Sequence, residues 1–321
     1  GYGFYLLASL VILNTENIYL LIFARFIQAV FGCFGTVMAR VIARDYYSDK
    51  MEVKMLAYIA GGLTIAPMAA PICGGFIQEY TSWKYNFVVL SILATFAMFI
   101  VHTLPEKYKL SKIQGKTSFL SGYKIVLTDW RFLRFTFAAG AAFSGAFVFI
   151  VGGPFVLIDQ LHMSPKNYGL LCAIVIAAYI LSASSIQKLN ERFNRASCLK
   201  LSGSLLILGA VISLISSQLS HGQSISGYVA GVIIYQLGLG IYMPVCQTQA
   251  TEHMKSHAAT ASGLIFFIEI VLLTIISSVI GWAYSAGMIA RSSVTLPMVV
   301  LSTLCLLSVN RQRRKDSTRT V

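Results

Sequence analysis

The 321 residues are 56% hydrophobic and only 12% charged, with a mean hydropathy of +0.72, which excludes an ordinary soluble domain and describes a polytopic membrane protein. The formal charge of +13 would suggest nucleic acid in a soluble protein; here the basic residues flank membrane spans, and no nucleic-acid partner is expected. Six cysteines, at 33, 73, 172, 198, 246 and 305, show no CxxC and sit mostly in apolar runs, as small buried hydrophobes do.

Apolar runs separated by polar punctuation predict ten spans, near 1–13, 17–42, 56–78, 85–104, 131–157, 167–187, 197–217, 225–248, 259–284 and 288–309. Each is measured against the roughly 20 residues that cross a hydrocarbon core of about 30 Å. The first run is too short for that, and it opens on Gly1 rather than Met. It reads as the back half of a span whose front half is missing.

Lys and Arg orient the rest. With Gly1 on the cytoplasmic side, 21 of the 25 fall in internal segments, Lys84, Lys166 and Arg291 in external connectors, and Arg25 within a span. The asymmetry accounts for the net charge and places the C-terminus in the cytoplasm. The organisation expected is an incomplete N-terminal bundle of four spans over 1–104, a cytoplasmic central loop over 105–130, a six-helix bundle over 131–310 and a basic cytoplasmic tail over 311–321. The Lys-, Ser- and Gly-containing central loop reads as solvated, with room for a helix lying on the membrane interface.

The third run stands apart. GGLTIAPMAAPICGGFIQ, 61–78, carries two prolines that would cost heavily in a water-exposed helix and are tolerated in membranes, where neighbouring groups satisfy the freed carbonyls. At 3.6 residues per turn, Ala60, Thr64, Pro67, Pro71, Gly74, Gly75 and Gln78 share one stripe, suited to close helix contact or a cavity wall rather than lipid.

ARFIQAVFGCFGTVMARVIARDYY (24–47), APMAAPICGG (66–75), the WxxxF of TSWKYNF, GGPFVLIDQLHMSPKNYGLL (152–171) and GLGIYMPVCQTQATEHMKSHAATASGLIFF (238–267) together resemble the major facilitator superfamily, and within it the Bcr/CflA-type drug-proton antiporters. The resemblance runs from what would be the family's third span to its twelfth. It implies an all-α membrane protein of two six-helix bundles, about ten of twelve spans being present, that alternates access by rocking one bundle against the other. It also implies that Arg25, followed by Gln28 and Gly32, is the arginine of the fourth-span motif. Pro67, Pro71, Gly74 and Gly75 would form the antiporter-motif helix, with Ala70 where the family usually has Gly. The family's first two spans, with their acidic coupling residue and basic loop, have no counterpart in the chain.

Several residues invite chemistry. Arg25 lies about 11 Å into its span, where a lone cation costs roughly 2.5–3.5 kcal/mol; with Gln28, Gly32 and Ala39 on its face it is expected to point into the bundle. One reading has it respond to a nearby carboxylate's protonation, the other has it buried in an ion pair or carbonyl cap. Glu269 sits mid-span with no charged neighbour on its helix. Desolvation favours its neutral form, so it can trade a proton for a cationic substrate, or it can stay permanently protonated and bonded across helices. Arg40, Arg44 and Asp45 close the internal end of their run, as snorkelling side chains or as a cytoplasmic gate. Tyr235, Gln236, Tyr242, Pro244 and Gln247 interleave with glycines, suiting either a cavity for amphiphilic cations or membrane-core packing. Asp159, Glu16 and Glu79 fall near external ends, as caps or gate contacts.

His253 and His257 have the spacing of a metal pair but no third ligand and no HExxH, and no Walker, GxSxG or N-x-[ST] sequence occurs. The expectation is therefore a non-enzyme without metal or cofactor, driven by an ion gradient. The leading reading is a monomeric multi-pass transporter of a bacterial cytoplasmic membrane that exchanges protons for a small amphiphilic or cationic drug. Its rivals are a proton symporter for a metabolite, and a truncated remnant or partner protein that transports nothing. An in-frame extension of roughly 70 to 80 residues before Gly1, room for two more spans, would favour the transporters.

Overall fold

The computed structural model describes residues 1–46, 49–103, 119–219, 225–254 and 257–285. Every regular element among them is helical: α1 (Tyr2–Asn14), α2 (Ile18–Tyr46), α3 (Asp49–Tyr80), α4 (Lys84–Thr103), α5 (Phe119–Thr128), α6 (Trp130–Gly153), a π-helical segment (Pro154–Gln160), α7 (Pro165–Ser184), α8 (Ile186–Arg192), α9 (Arg195–Leu219), α10 (Ile225–Thr251) and α11 (Ala258–Ser285). Eight of these regions are long and apolar enough to cross a membrane, corresponding to α2, α3, α4, α6 with its π-helical extension, α7, α9, α10 and α11. The predicted first span is the 13-residue α1, while the predicted tenth span and the basic tail lie outside the described residues.

Local chemistry sets several boundaries. Asn17 Oδ1 accepts the Tyr19 amide at 2.9 Å as α2 begins, and Asp129 caps α6 by accepting the Phe132 amide at 2.6 Å, each satisfying a donor the helix leaves open. His162, at φ 53°, turns the chain between the π-helical segment and α7.

Two compact units divide the chain. The first holds Gly1–Gly115 with Ser164–Leu170, the second Lys116–Met163 with Leu171–Val321. In the first, α1 lies against α2 and α4 through Ala8, Ile12 and Ala24, with Ile27 and Phe87 packed on them. Helix α3 runs through Pro67 and Pro71 without a break, and none of its described side chains is buried. Its small stripe makes a close backbone approach: a methyl group built on Gly75 would meet the Pro165 carbonyl oxygen at 2.5 Å, and one on Gly169 would strike the Pro71 carbonyl. Only glycine permits that spacing.

The second unit carries a larger core, in which Phe132, Leu206, Leu239, Tyr242 and Cys246 interlock α6, α9 and α10. Along α9 and α10 the backbones nearly touch. A Cβ on Gly209 would sit 2.5 Å from the Tyr235 amide nitrogen, and one on Gly231 2.6 Å from the Gly209 carbonyl oxygen.

The central loop holds the helix it left room for: residues 119–128 form α5, whose Val126 is fully buried in the second unit's core while Ile125 and Leu127 are exposed. One expectation changes. Cys172, Cys198 and Cys246 are buried as expected, but Cys33 and Cys73 are exposed. Both exposed cysteines lie on membrane-length helices, and a thiol facing lipid keeps its apolar surroundings.

Candidate functional site

In the first unit, a chain of hydrogen bonds ties α2 to α1. Arg25 Nη1 donates to Gln28 Oε1 at 3.2 Å, Gln28 Nε2 donates to Ser9 Oγ at 2.6 Å, and Ser9 Oγ donates to the Tyr5 carbonyl at 2.9 Å. Gln28 and Ser9 are buried, so each polar atom there needs its partner. The Arg25 guanidinium also lies 5.2 Å from the centre of the Phe87 ring on α4, within cation–π range.

Arg25 itself is exposed, which corrects the expectation that it points into the bundle. The buried stripe of α2 is formed by Ala24 and Gln28, four residues apart on one face. Arg25 is a step of about 100° away from Ala24, and its long side chain bends back to the buried amide.

In the second unit, Glu269 is 1% exposed in the middle of α11. Gln247 on α10 donates through Nε2 to Glu269 Oε1 at 3.1 Å. Gly140 of α6 makes room for it: a side chain there would lie 3.4 Å from the Glu269 Cα and would meet Leu272 as well. Tyr179 of α7 is within electrostatic range. No cationic side chain among the described residues is paired with this carboxyl.

The other candidates divide. Tyr235, Gln236 and Tyr242 are buried in the second unit, Tyr235 donating its hydroxyl to the Ala142 carbonyl at 2.9 Å. Tyr235 also borders a small pocket between α6, α9 and α10, and Gln247 borders a crevice of about 280 Å³ between α10 and α11. Pro67 is exposed, Pro71, Gly74 and Gly75 are half-buried, and Arg40 is exposed. The side chains of Arg44 and Asp45 lie outside the described ones. Glu79 accepts the Lys166 amide at 3.4 Å, and Glu16 and Asp159 are exposed.

Sequence reasoning missed one charged cluster in the second unit. Glu252, just past α10, receives Arg195 at 2.7 Å and lies 3.7 Å from Arg131. Arg131 also donates to Gln249 at 3.0 Å, and His253 meets Asp129 at 3.1 Å. The Arg195 hydrogen bond, with the charge of Arg131, holds the Glu252 carboxyl below the usual carboxylate range. Burial works against the charge of Asp129, but the Phe132 amide and His253 prevail and hold its carboxyl low as well. The available signal was a single acid, Glu252, among basic residues beside three span ends.

Comparison with known proteins agrees with this architecture. The family model for the Major Facilitator Superfamily matches residues 1–278. An uncharacterized MFS-type transporter, YdgK of Bacillus subtilis (strain 168), is 24% identical over 314 residues, 96% of this chain and 77% of the relative. An uncharacterized transporter of Rickettsia bellii (strain RML369-C) is 27% identical over 87% of this chain and 72% of its own length. The multidrug transporter MdfA of Yersinia pestis bv. Antiqua (strain Angola) is 24% identical over 75% of this chain, which spans 59% of that relative. Among solved structures, that of a bacterial metal transporter overlays with a TM-score of 0.63 at 11% identity, covering 96% of this chain and 81% of its own, a likeness of fold alone. With the family match extending over most of its length, through both polar helix–helix networks, the chain belongs to the Major Facilitator Superfamily.

Proposed function

We propose that this transporter is a drug-proton antiporter of Bcr/CflA type, exporting small amphiphilic or cationic compounds across a bacterial cytoplasmic membrane in exchange for protons. The observation that carries the reading is Glu269, a buried carboxyl inside a span with an amide as its hydrogen-bonding partner. An intramembrane ionisable group is expensive, and function is the default account of it. The Arg25–Gln28–Ser9 chain supports the reading as a second polar element at membrane depth, one able to reorganise when a charge nearby changes. The named activity of the MdfA relatives points the same way.

In this reading Arg25 and Glu269 relay charge, Pro67, Pro71, Gly74 and Gly75 shape a moving helix, and Gln28 and Gln247 touch substrate. Arg40, Arg44 and Asp45 serve a cytoplasmic gate, the C-terminus faces the cytoplasm, and the protein works as a monomer. The test is to reconstitute the protein in vesicles with an acidic interior, and to add a panel of cations and amphiphiles outside while following internal pH. Export chemistry gives substrate-dependent collapse of the gradient. Absence of collapse across the whole panel rejects antiport, and uptake that rises with an inward proton gradient points to symport instead.

A further inference from the structure

The crevice between α10 and α11 is apolar on one side and polar on the other. Ile265 and Phe266 of α11 face Gln247, Thr248 and Thr251 of α10, with Ser262 completing the polar wall. The hydroxyls of Thr248 and Thr251 donate to carbonyls of their own helix, at 2.8 Å to Pro244 and 3.0 Å to Gln247, which leaves oxygen lone pairs as their contribution to the cavity. Acceptor oxygens and an aromatic ring on these walls suit a positively charged guest with an apolar body. Among the described residues no Lys or Arg lines the space, so nothing there would hold an anion.

Gln247 belongs to two environments at once. It lines the crevice and donates to Glu269, which does not line it. The carboxyl therefore lies one side chain behind the wall. Rotation of the amide would open Glu269 to whatever occupies the crevice. Of the elements around the carboxyl, α6 presents Gly140, α10 presents Gln247 and α7 presents Tyr179. A buried carboxylate without a cation is strongly disfavoured, so the site favours one positive charge at a time: a proton on the carboxyl, or a cation beside it.

We propose that the α10–α11 crevice binds a monovalent organic cation with an aromatic or aliphatic body, and that Gln247 is the swinging side chain through which this cation displaces the proton of Glu269. The displaced proton leaves to water in the crevice, and the carboxylate stays as counter-ion to the guest. Phe266 stacks on the guest, and the Thr248, Thr251 and Ser262 oxygens face its cationic end. This rests on the antiport reading above and gives it a place and a ligand class.

The probe is benzyltrimethylammonium, with neopentylbenzene as its uncharged isostere, titrated calorimetrically into the purified chain in detergent. Using two buffers of different ionisation enthalpy separates proton release from binding heat. The expected result is about one proton released per cation bound, no competition from the isostere, and at least a tenfold loss of affinity with no proton release in Glu269→Gln. Ser262→Trp, a change at an exposed position that fills the crevice and keeps the carboxyl, should lose affinity equally. Unchanged binding in either folded variant, or equal binding of the isostere, overturns the site. Gradient-driven flux in vesicles is measured separately. Glu269-dependent binding without flux supports the site and removes the antiport reading, whereas flux retained in Glu269→Gln after binding is lost overturns the site's part in transport.

Discussion

The two units handle polarity at membrane depth in opposite ways. In the first, the charge is a cation on an exposed residue, and the buried part of the network is neutral: Arg25 reaches inward to Gln28, which passes the connection to Ser9. In the second, the charge-bearing group itself is buried and the amide stands between it and open space. A glutamine is the intermediary in both. The amide can accept and donate at once, so it links a group that can be charged to a neutral partner without adding a charge to an apolar interior. The first arrangement leaves the cation free to be solvated, and the second leaves the acid's surroundings dependent on one side-chain rotation.

Substitutions can break this contrast, and the largest effect is expected at Glu269. Glu269→Gln keeps the shape and the Gln247 contact but removes the exchangeable proton. Proton-driven export in vesicles should fall on the order of 10²-fold, the scale of a lost proton-transfer group, with the protein remaining monodisperse. Gly209→Leu comes next: it forces a side chain into the α10 backbone and should destabilise the second unit by about 3 kcal/mol, read as early thermal unfolding in detergent. Gln28→Leu leaves Ser9 without its donor and Arg25 without its acceptor, a cost of about 1–2 kcal/mol. Its effect on stability should exceed that of Arg25→Ala, because the buried member of the pair matters more than the exposed one.

A smaller effect lies at the charged cluster beside α6. Asp129→Ala removes the α6 cap at a cost of about 1 kcal/mol, while Asp129→Asn keeps most of it. Because the Asp129 and Glu252 carboxyls are held below their usual range when folded, the stability they contribute is fully present above the unfolded values near 4. It is lost as pH falls through the lower folded values. Melting temperature measured from pH 6 down to pH 3 should therefore drop, and Asp129→Ala and Glu252→Gln should each flatten that drop. An unchanged acid limb in both variants would reject the assignment.

Hydropathy alone located the eight membrane-length helices among the described residues, because a span must be apolar for its full length regardless of what it packs against. Rotation about each helix axis was harder to read. The small residues around Arg25 marked a contact face without showing that Ala24 and Gln28, rather than Arg25, lie at its centre. Tyr242 carries a polar group at helical spacing, as a cavity wall does, and is buried in the second unit's core; period alone does not separate the two settings. The partnership of Gln247 with Glu269 joins residues 22 apart on different helices, and no periodicity within one helix encodes it. A helix in the central loop was foreseen, but not its bounds, because Ser and Gly interrupt the short apolar stretch that forms α5.

The glycine seam between α9 and α10 also bears on what mutation can explore. At positions 209 and 231 every codon change that adds a side chain collides with the opposite backbone, whereas Leu208 next door is exposed and any apolar residue serves there. A saturation library would show this as two intolerant columns beside a permissive one, before any substrate is known. Variation in specificity would then have to enter through neighbours such as Ser262 and Phe266, whose exposed side chains border open volume and can change while the seam stays fixed.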